Sequence, residues 1–390
     1  MHSFNYVNPC RVIFGDEAIA QSGRLAVAFG TRTLLVTGSG SIKRNGIFKI
    51  ITESLAAAGV SFVEHSGVKS NPVISHAREG IALAKSFMPD SIIAVGGGSV
   101  IDEAKTIAFG ALSDDDPWEV FKNGFKPQKA LPVLAIPTIF GSGSELNTGS
   151  VMSDPATHDK RGISAQSLIP HAALIDPAVS VSVPPDLQSA GFIDALSHIM
   201  EGYFNGAELY VPVQDSLSEA LAKTLIELSQ TLMSNPDDMN CRRNAVWACC
   251  LAHEGQLNMG RGKITFELHA LAHALGSAFD IHHGNVIAIL MVPWLRSLTG
   301  ARRGKISSFG QAVFGFSQGE KPEELQAKTF AMLAEWIRAL NAPTSISAFL
   351  KQNDAASKAE IQSRVHAAII DKNQFHFSEC QIAELAESIS

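Results

Sequence analysis

The chain has 390 residues and a mass of 41.6 kDa, more than one ordinary core absorbs, so two or three domains are expected. Hydrophobic residues make up 46% and charged residues 18%, and 31 Lys and Arg against 38 Asp and Glu leave a net charge of -7. That composition excludes disorder and offers no basic face to a nucleic-acid backbone.

The opening residues from Met1 to Tyr6 lack a basic segment followed by an apolar one, so no signal peptide is expected. Short β-branched runs then alternate with amphipathic helical stretches. Leu34, Leu35 and Val36 form a strand ending at Gly38, Ser39, Gly40 and Ser41, and a helical pattern covers residues 42–58. Residues 61–64 are strand-like, and Asn71 and Pro72 open a helix reaching Phe87. A buried strand at 91–95 ends in Gly96, Gly97, Gly98 and Ser99, followed by a helix over 100–111. Residues 134–136 and 172–175 are further strands. This alternation predicts a doubly wound parallel sheet of Rossmann type, an α/β domain over residues 1–183.

After Val183, Pro184 and Pro185 the texture changes. Residues 215–232 and 241–257 carry helical periodicity and strands disappear, predicting an all-α domain over 184–390. The apolar run at 286–295 is about half of a membrane span. Cys10, Cys241, Cys249, Cys250 and Cys380 form no CxxC pair, and the adjacent Cys249 and Cys250 read as small core residues of a reduced protein. A soluble cytoplasmic enzyme is expected.

Glycines at a strand end let the backbone approach an anion, and the helix N-terminus beyond presents N–H groups and a positive dipole end. Residues 96–99 fit that use, and equally fit a tight turn capped by Asp102; the strict GxGxxG spacing is absent. A second loop, from Pro137 to Glu145, also follows a strand and contains Thr138, Ser142 and Ser144, although Ser142 and Glu145 have the spacing of a simple capping box. Two such loops are what a doubly wound sheet uses to hold a nucleotide. The first strand ends without the acid that favours NAD, and Ser39, Ser41, Lys43 and Arg44 follow. This favours NADP and leaves NAD open.

Asp194 and His198 are spaced by four, one helical turn apart on one face. His269 and His273 repeat the spacing, and His282, His283 and Gly284 follow. One such pair is often a mere surface contact; two pairs and a further histidine point to a metal. An aspartate with neutral imidazoles suits Zn²⁺ or Fe²⁺, and such an ion with an open position acts as a Lewis acid on an alcohol oxygen.

These segments together resemble the iron-containing (group III) alcohol dehydrogenases over nearly the whole chain. The carrying residues are 96–105, 137–145, 194–201 and 269–284. The resemblance implies a dinucleotide-binding α/β domain, a helical domain, and an active site in the cleft between them. It implies metal ligation by Asp194, His198, His269 and His283, with His273 near the substrate, either relaying a proton, orienting the substrate or merely packing. It implies that Gly96, Gly97, Gly98 and Ser99 hold the pyrophosphate, with Asp102 on the nicotinamide side and Thr138, Ser142 and Lys160 at cofactor contacts. His273 and Asp102 are the candidate catalytic residues. Gly38, Ser39 and Ser41 resemble the NADPH-dependent butanol dehydrogenase and aldehyde reductase branch. A homodimer acting on a small alcohol or aldehyde, with one Fe²⁺ or Zn²⁺, is implied.

The chain departs from the family pattern at Ile139 and Phe140, which add bulk beside the cofactor loop, and at His282, which precedes the last ligand. Two rivals stand beside this reading: a dehydroquinate-synthase-like lyase using NAD transiently, and a non-catalytic nucleotide-binding relative. The lyase needs a basic cluster for a phosphorylated substrate, and none is evident near the proposed ligands.

Overall fold

The computed structural model describes residues 1–157, 159–279, 281–350, 359, 362, 363, 365, 366 and 379–389. The chain forms two compact units, one of Val7–Pro184 and one joining Met1–Tyr6 to Pro185–Ser390.

In the first unit the strands are β1 (Arg11–Phe14), β2 (Arg32–Gly38), β3 (Ser61–Val68), β4 (Ser91–Gly96), β5 (Val133–Pro137), β6 (Gly149–Asp154), β7 (Asp159–Ser164) and β8 (Ala172–Ile175). Six of them make a sheet in the order β1-β8-β5-β4-β2-β3, and every pairing is parallel. The helices are α1 (Ser22–Ala26), α2 (Ser41–Arg44), α3 (Ile47–Ala57), α4 (Ile74–Phe87), α5 (Gly98–Gly110) and α6 (Pro117–Asn123).

Side chains along a strand alternate between faces. Leu35, Ile93 and Leu134 accordingly pack with α1 and α3, whereas Leu34, Ile92 and Ala94 pack with α4 and α5. Both faces are covered, which is why the central strands read as unbroken apolar runs. From β2 the chain steps outward to β3, then returns to the other side of β2 as β4. The strand order reverses there, so the carboxyl ends of β2, β4 and β5 form a switch point.

The predicted α/β architecture is present, with three local differences. Strand β1 lies at the sheet edge with mostly exposed residues, so it lacks the apolar signature of its neighbours. The β6–β7 hairpin is antiparallel and its serines, glycines and charges give no period-two pattern. The helix expected over 42–58 is broken at Asn45 and Gly46 into α2 and α3.

The second unit contains α7 (Pro185–Asn205), α8 (Pro212–Ser234), α9 (Met239–Ala252), α10 (Glu267–Phe279), α11 (His283–Ser297), α12 (Gly300–Phe314), α13 (Pro322–Ala339), α14 (Ile346–Leu350) and a last helix, Glu379–Ile389. Helix α7 is the axis, packed against α8, α9, α10 and α11 and buried from Ser189 through Asn205. Polar groups on such a helix need partners. Cys249 and Cys250 are buried on α9. No helix among the described residues is long and apolar enough to cross a membrane.

Residues 1–6 were expected in the α/β domain. Instead the His2 N–H donates to the Gly260 carbonyl at 2.9 Å, and the Tyr6 hydroxyl donates to the Glu254 carbonyl at 3.4 Å. These bonds carry the segment to the helical unit.

Candidate active site

Helix α7 presents Asp194, His198 and Glu201 at positions i, i+4 and i+7, hence on one face. Helix α10 adds His269, and α11 begins at His283. Asp194 Oδ1 is the hub: it lies 3.4 Å from His269 Nε2, 3.6 Å from His198 Nδ1 and 3.6 Å from His283 Nε2. The donor atoms of Asp194, His198 and His269 all fall within 4.8 Å of one another; His283 meets the aspartate from the side.

Among the described residues, Asp194 Oδ1, His198 Nδ1 and His269 Nε2 are buried without a hydrogen-bond partner. Orphaned polar atoms in a core carry a penalty of about 1–3 kcal/mol each, and three of them converging on one point fit a divalent cation. Burial, then repulsion from His253 and His269, holds the His198 imidazole well below its usual range, and the neutral form is the one that ligates. Burial also opposes charge on His269, but Glu201 and Asp194 outweigh it and raise that imidazole.

Glu201 is completely buried. Its Oε1 accepts the Leu268 N–H at 2.6 Å and its Oε2 accepts a hydrogen bond from His269 Nδ1–H. That bond holds a proton on Nδ1, so that Nε2, on the Asp194 side, is the nitrogen a cation would take, the orienting arrangement common behind metal-bound histidines. Sequence reasoning assigned Glu201 no role; its heptad spacing from Asp194 was the available signal. His253 at the end of α9 was also missed. Its ring meets that of His198 edge-on at 3.9 Å, and no spacing rule connects the two.

His273 lies one turn beyond His269, its ring 5.4 Å from that of His283 and 6.5 Å from that of His269. It borders the donor group without joining it. Gly284 sets the approach of α11 to α7: a Cβ there would sit 2.5 Å from the Ala190 carbonyl oxygen. No larger residue beside His283 allows the two helices this contact.

In the α/β unit, Thr37 pairs with Val95 and Gly96 with Pro137, so the loops after β2, β4 and β5 emerge side by side. Gly98 is required by close packing, because a Cβ there would press 2.8 Å from Ser142 Cβ. Ile139 lies over Gly97, 3.5 Å from where a Cβ would stand, and Phe140 is buried. Thr138 N–H donates to the Gly96 carbonyl at 3.0 Å. The Ser99 hydroxyl donates to Ser70 O at 2.5 Å, and Lys160 Nζ donates to the adjacent Asn71 at 3.2 Å, so Lys160 stands near the same helix end.

Both Asp102 oxygens are engaged within the unit: Oδ1 accepts from the Ser144 hydroxyl at 2.5 Å and Oδ2 from the Val151 N–H at 2.9 Å. Burial raises this carboxyl above its usual range, against the pull of Lys105. At the other loop, Ser39 and Ser41 are exposed and Gly38 half-buried. Lys43 pairs with Glu64 of β3 at 2.7 Å, and the Thr37 hydroxyl donates to the same carboxylate at 2.9 Å.

A dinucleotide-type sheet and a buried aspartate–histidine group that could hold a metal ion, each with its sequence motif, define the class as an NAD(P)-linked oxidoreductase. Residues 9–177 match the iron-containing alcohol dehydrogenase family model and residues 188–389 the C-terminal model of the same family. The chain belongs to the iron-containing alcohol dehydrogenase family and is an NAD(P)-linked oxidoreductase of aldehydes and alcohols. It is 35% identical over 347 residues to NADH-dependent butanol dehydrogenase A of Clostridium acetobutylicum, covering 89% of each chain. It is 29% identical over 350 residues to the NADPH-dependent aldehyde reductase YqhD of Escherichia coli, again covering 89% of each. The crystal structure of NADH-dependent butanol dehydrogenase A from Thermotoga maritima superposes with a TM-score of 0.90 at 30% identity, covering 100% of this chain and 99% of that one.

Proposed function

We propose that the protein reduces short aldehydes to primary alcohols, and catalyses the reverse, with a divalent cation held by Asp194, His198, His269 and His283. The observation that carries this reading is the convergence of buried Asp194 Oδ1, His198 Nδ1 and His269 Nε2, which have no hydrogen-bond partner among the described residues. When bound, the cation supplies Lewis acidity toward the substrate oxygen and the nicotinamide supplies the hydride exchange. Glu201 fixes the tautomer of His269, and Asp194 contributes the negative charge of the donor set. His273, just outside that set, is the candidate to orient the substrate or relay its proton.

Gly96, Gly97, Gly98 and Ser99 present the N-terminus of α5 to the pyrophosphate. Thr138, Ser142 and Lys160 border the same helix end. The two bonds accepted by Asp102 support a positioning role, tying α5 to the loop at Ser144 and to the hairpin. Gly38, Ser39 and Ser41 support NADPH as the preferred cofactor, since no acid stands at the strand end, with NADH also accepted. The relatives named above divide between the two cofactors. A homodimer completes the proposal; sedimentation measures it directly.

The test follows absorbance at 340 nm with NADPH and NADH in turn and a panel of short aldehydes. Removal of metal by a chelator should abolish oxidation, and Zn²⁺ or Fe²⁺ should restore it. Turnover indifferent to both treatments refutes the metal role. Bound metal without oxidation of either cofactor refutes the reductase reading.

A further inference from the structure

A second histidine–carboxylate group lies in the α/β unit, built from side chains that the proposed chemistry does not use. His65 of β3, His76 of α4 and Glu103 of α5 converge with their donor atoms within 4.8 Å of one another. His65 Nε2 is 3.0 Å from Glu103 Oε1 and His76 Nδ1 is 2.6 Å from the same oxygen. The two rings lie 4.2 Å apart, tilted by 32°. We propose that these three residues form a second divalent-metal site, for a borderline transition ion of the Zn²⁺ class.

Three observations carry the proposal. Glu103 is wholly buried, and its Oε2 has no hydrogen-bond partner among the described residues. A hydrogen-bonded triad alone accounts for Oε1 and leaves Oε2 bare in the interior, which is costly for a charged group; a cation satisfies the carboxylate. Second, His65 Nε2 stands 3.0 Å from Glu103 Oε1, as two ligands about 2.0–2.2 Å from one ion do, and the half-buried His76, at 2.6 Å, needs to move outward by only about half an ångström to match. Two imidazoles and a carboxylate are the donors such an ion prefers. Third, there is a way in. The His76 side chain is 26% exposed against 8% for His65, leaving positions for water on the outer side. On α4, Gly80 is what lets His65 take this place: a Cβ there would stand 3.0 Å from His65 Nε2 and strike Ile107.

A bound ion would join the edge strand to two helices, one of which, α5, carries the glycine loop. The site is separate in sequence and in unit from Asp194 and its partners, so the two stand or fall independently.

The experiment uses the full chain, stripped with chelator and dialysed against Zn²⁺, with metal per chain measured at saturation. Wild type should bind two equivalents. His76→Asn and Glu103→Gln should each bind one, as should Asp194→Ala, and the combination of Asp194→Ala with His76→Asn none. In the Asp194→Ala background Zn²⁺ should raise the melting temperature, and His76→Asn should remove that rise. His76, being part exposed, keeps the test open if the buried Glu103 variant misfolds. Equal stoichiometry in wild type and His76→Asn, or a Zn²⁺-dependent melting shift that survives His76→Asn, overturns the second site. One equivalent in wild type, lost in Asp194→Ala, also overturns it while leaving the proposed catalytic site intact.

Discussion

Glu201 is the clearest case of a side chain that acts through another. Its two oxygens hold the Leu268 N–H and the His269 Nδ1 proton. Orienting carboxylates of this kind are worth roughly 10–100-fold in metal affinity, so Glu201→Gln should weaken binding by about that factor while the variant stays folded. Competition with a chelator of known affinity measures it. An unchanged dissociation constant would show that the bond to His269 is only structural. At the nucleotide end Glu64 matters in the opposite sense. It neutralises Lys43, whose charge would otherwise attract a 2′-phosphate. Glu64→Gln should raise the preference for NADPH over NADH several-fold, and Gly38→Asp should lower it. Identical ratios of kcat/KM in wild type and both variants would rule out any part for this corner in cofactor choice. Asp194 with His198, and His269 with His273, were visible as candidate donors because helical spacing of four places side chains together; that His283 and not His273 joins the proposed ligand set followed from the family resemblance, not from spacing. Glu201, His253 and the group of His65, His76 and Glu103 were not, because each meets its partner only through tertiary packing.

Helix α5 is anchored from inside by a buried lysine. Lys105 Nζ donates to the Asn147 carbonyl at 3.0 Å and the Gly149 carbonyl at 2.7 Å, joining the helix to the segment that follows Ser142. Burial, only partly offset by Asp102 and Glu145, lowers its amine from 10.5 to about 8. The unfolded chain therefore holds this proton over a pH range in which the folded chain has released it, and stability from this group rises with pH between those values. Relative to Lys105→Met, wild type should gain on the order of 3 kcal/mol from pH 8 to 10.5. Urea unfolding of both proteins across that range tests the sign, and a difference that stays flat or shrinks would refute it. Among the elements, the four interior strands β2, β4, β5 and β8 were legible from apolar runs bounded by glycine, serine and proline, and the edge strand β3 only over its first residues. Strand β1 and the hairpin were not, since one is an exposed edge and the other is polar along its length.

For the molecule as a whole, the change of texture at Val183 and Pro184 marks the passage from α/β to helical structure, because prolines and the loss of β-branched runs accompany it. What the texture could not reveal is that Met1–Tyr6 belongs with the later unit: six residues without periodicity carry no sign of a partner more than two hundred positions away. The α/β unit is thus an insertion within the helical one, with chain entering at Val7 and leaving at Pro184. On the ribosome this imposes a delay. At about 5–20 residues per second, the partners of His2 and Tyr6 emerge more than ten seconds after the residues that need them. The sheet can complete its folding in that interval, while the opening segment waits for the last half of the protein to be made.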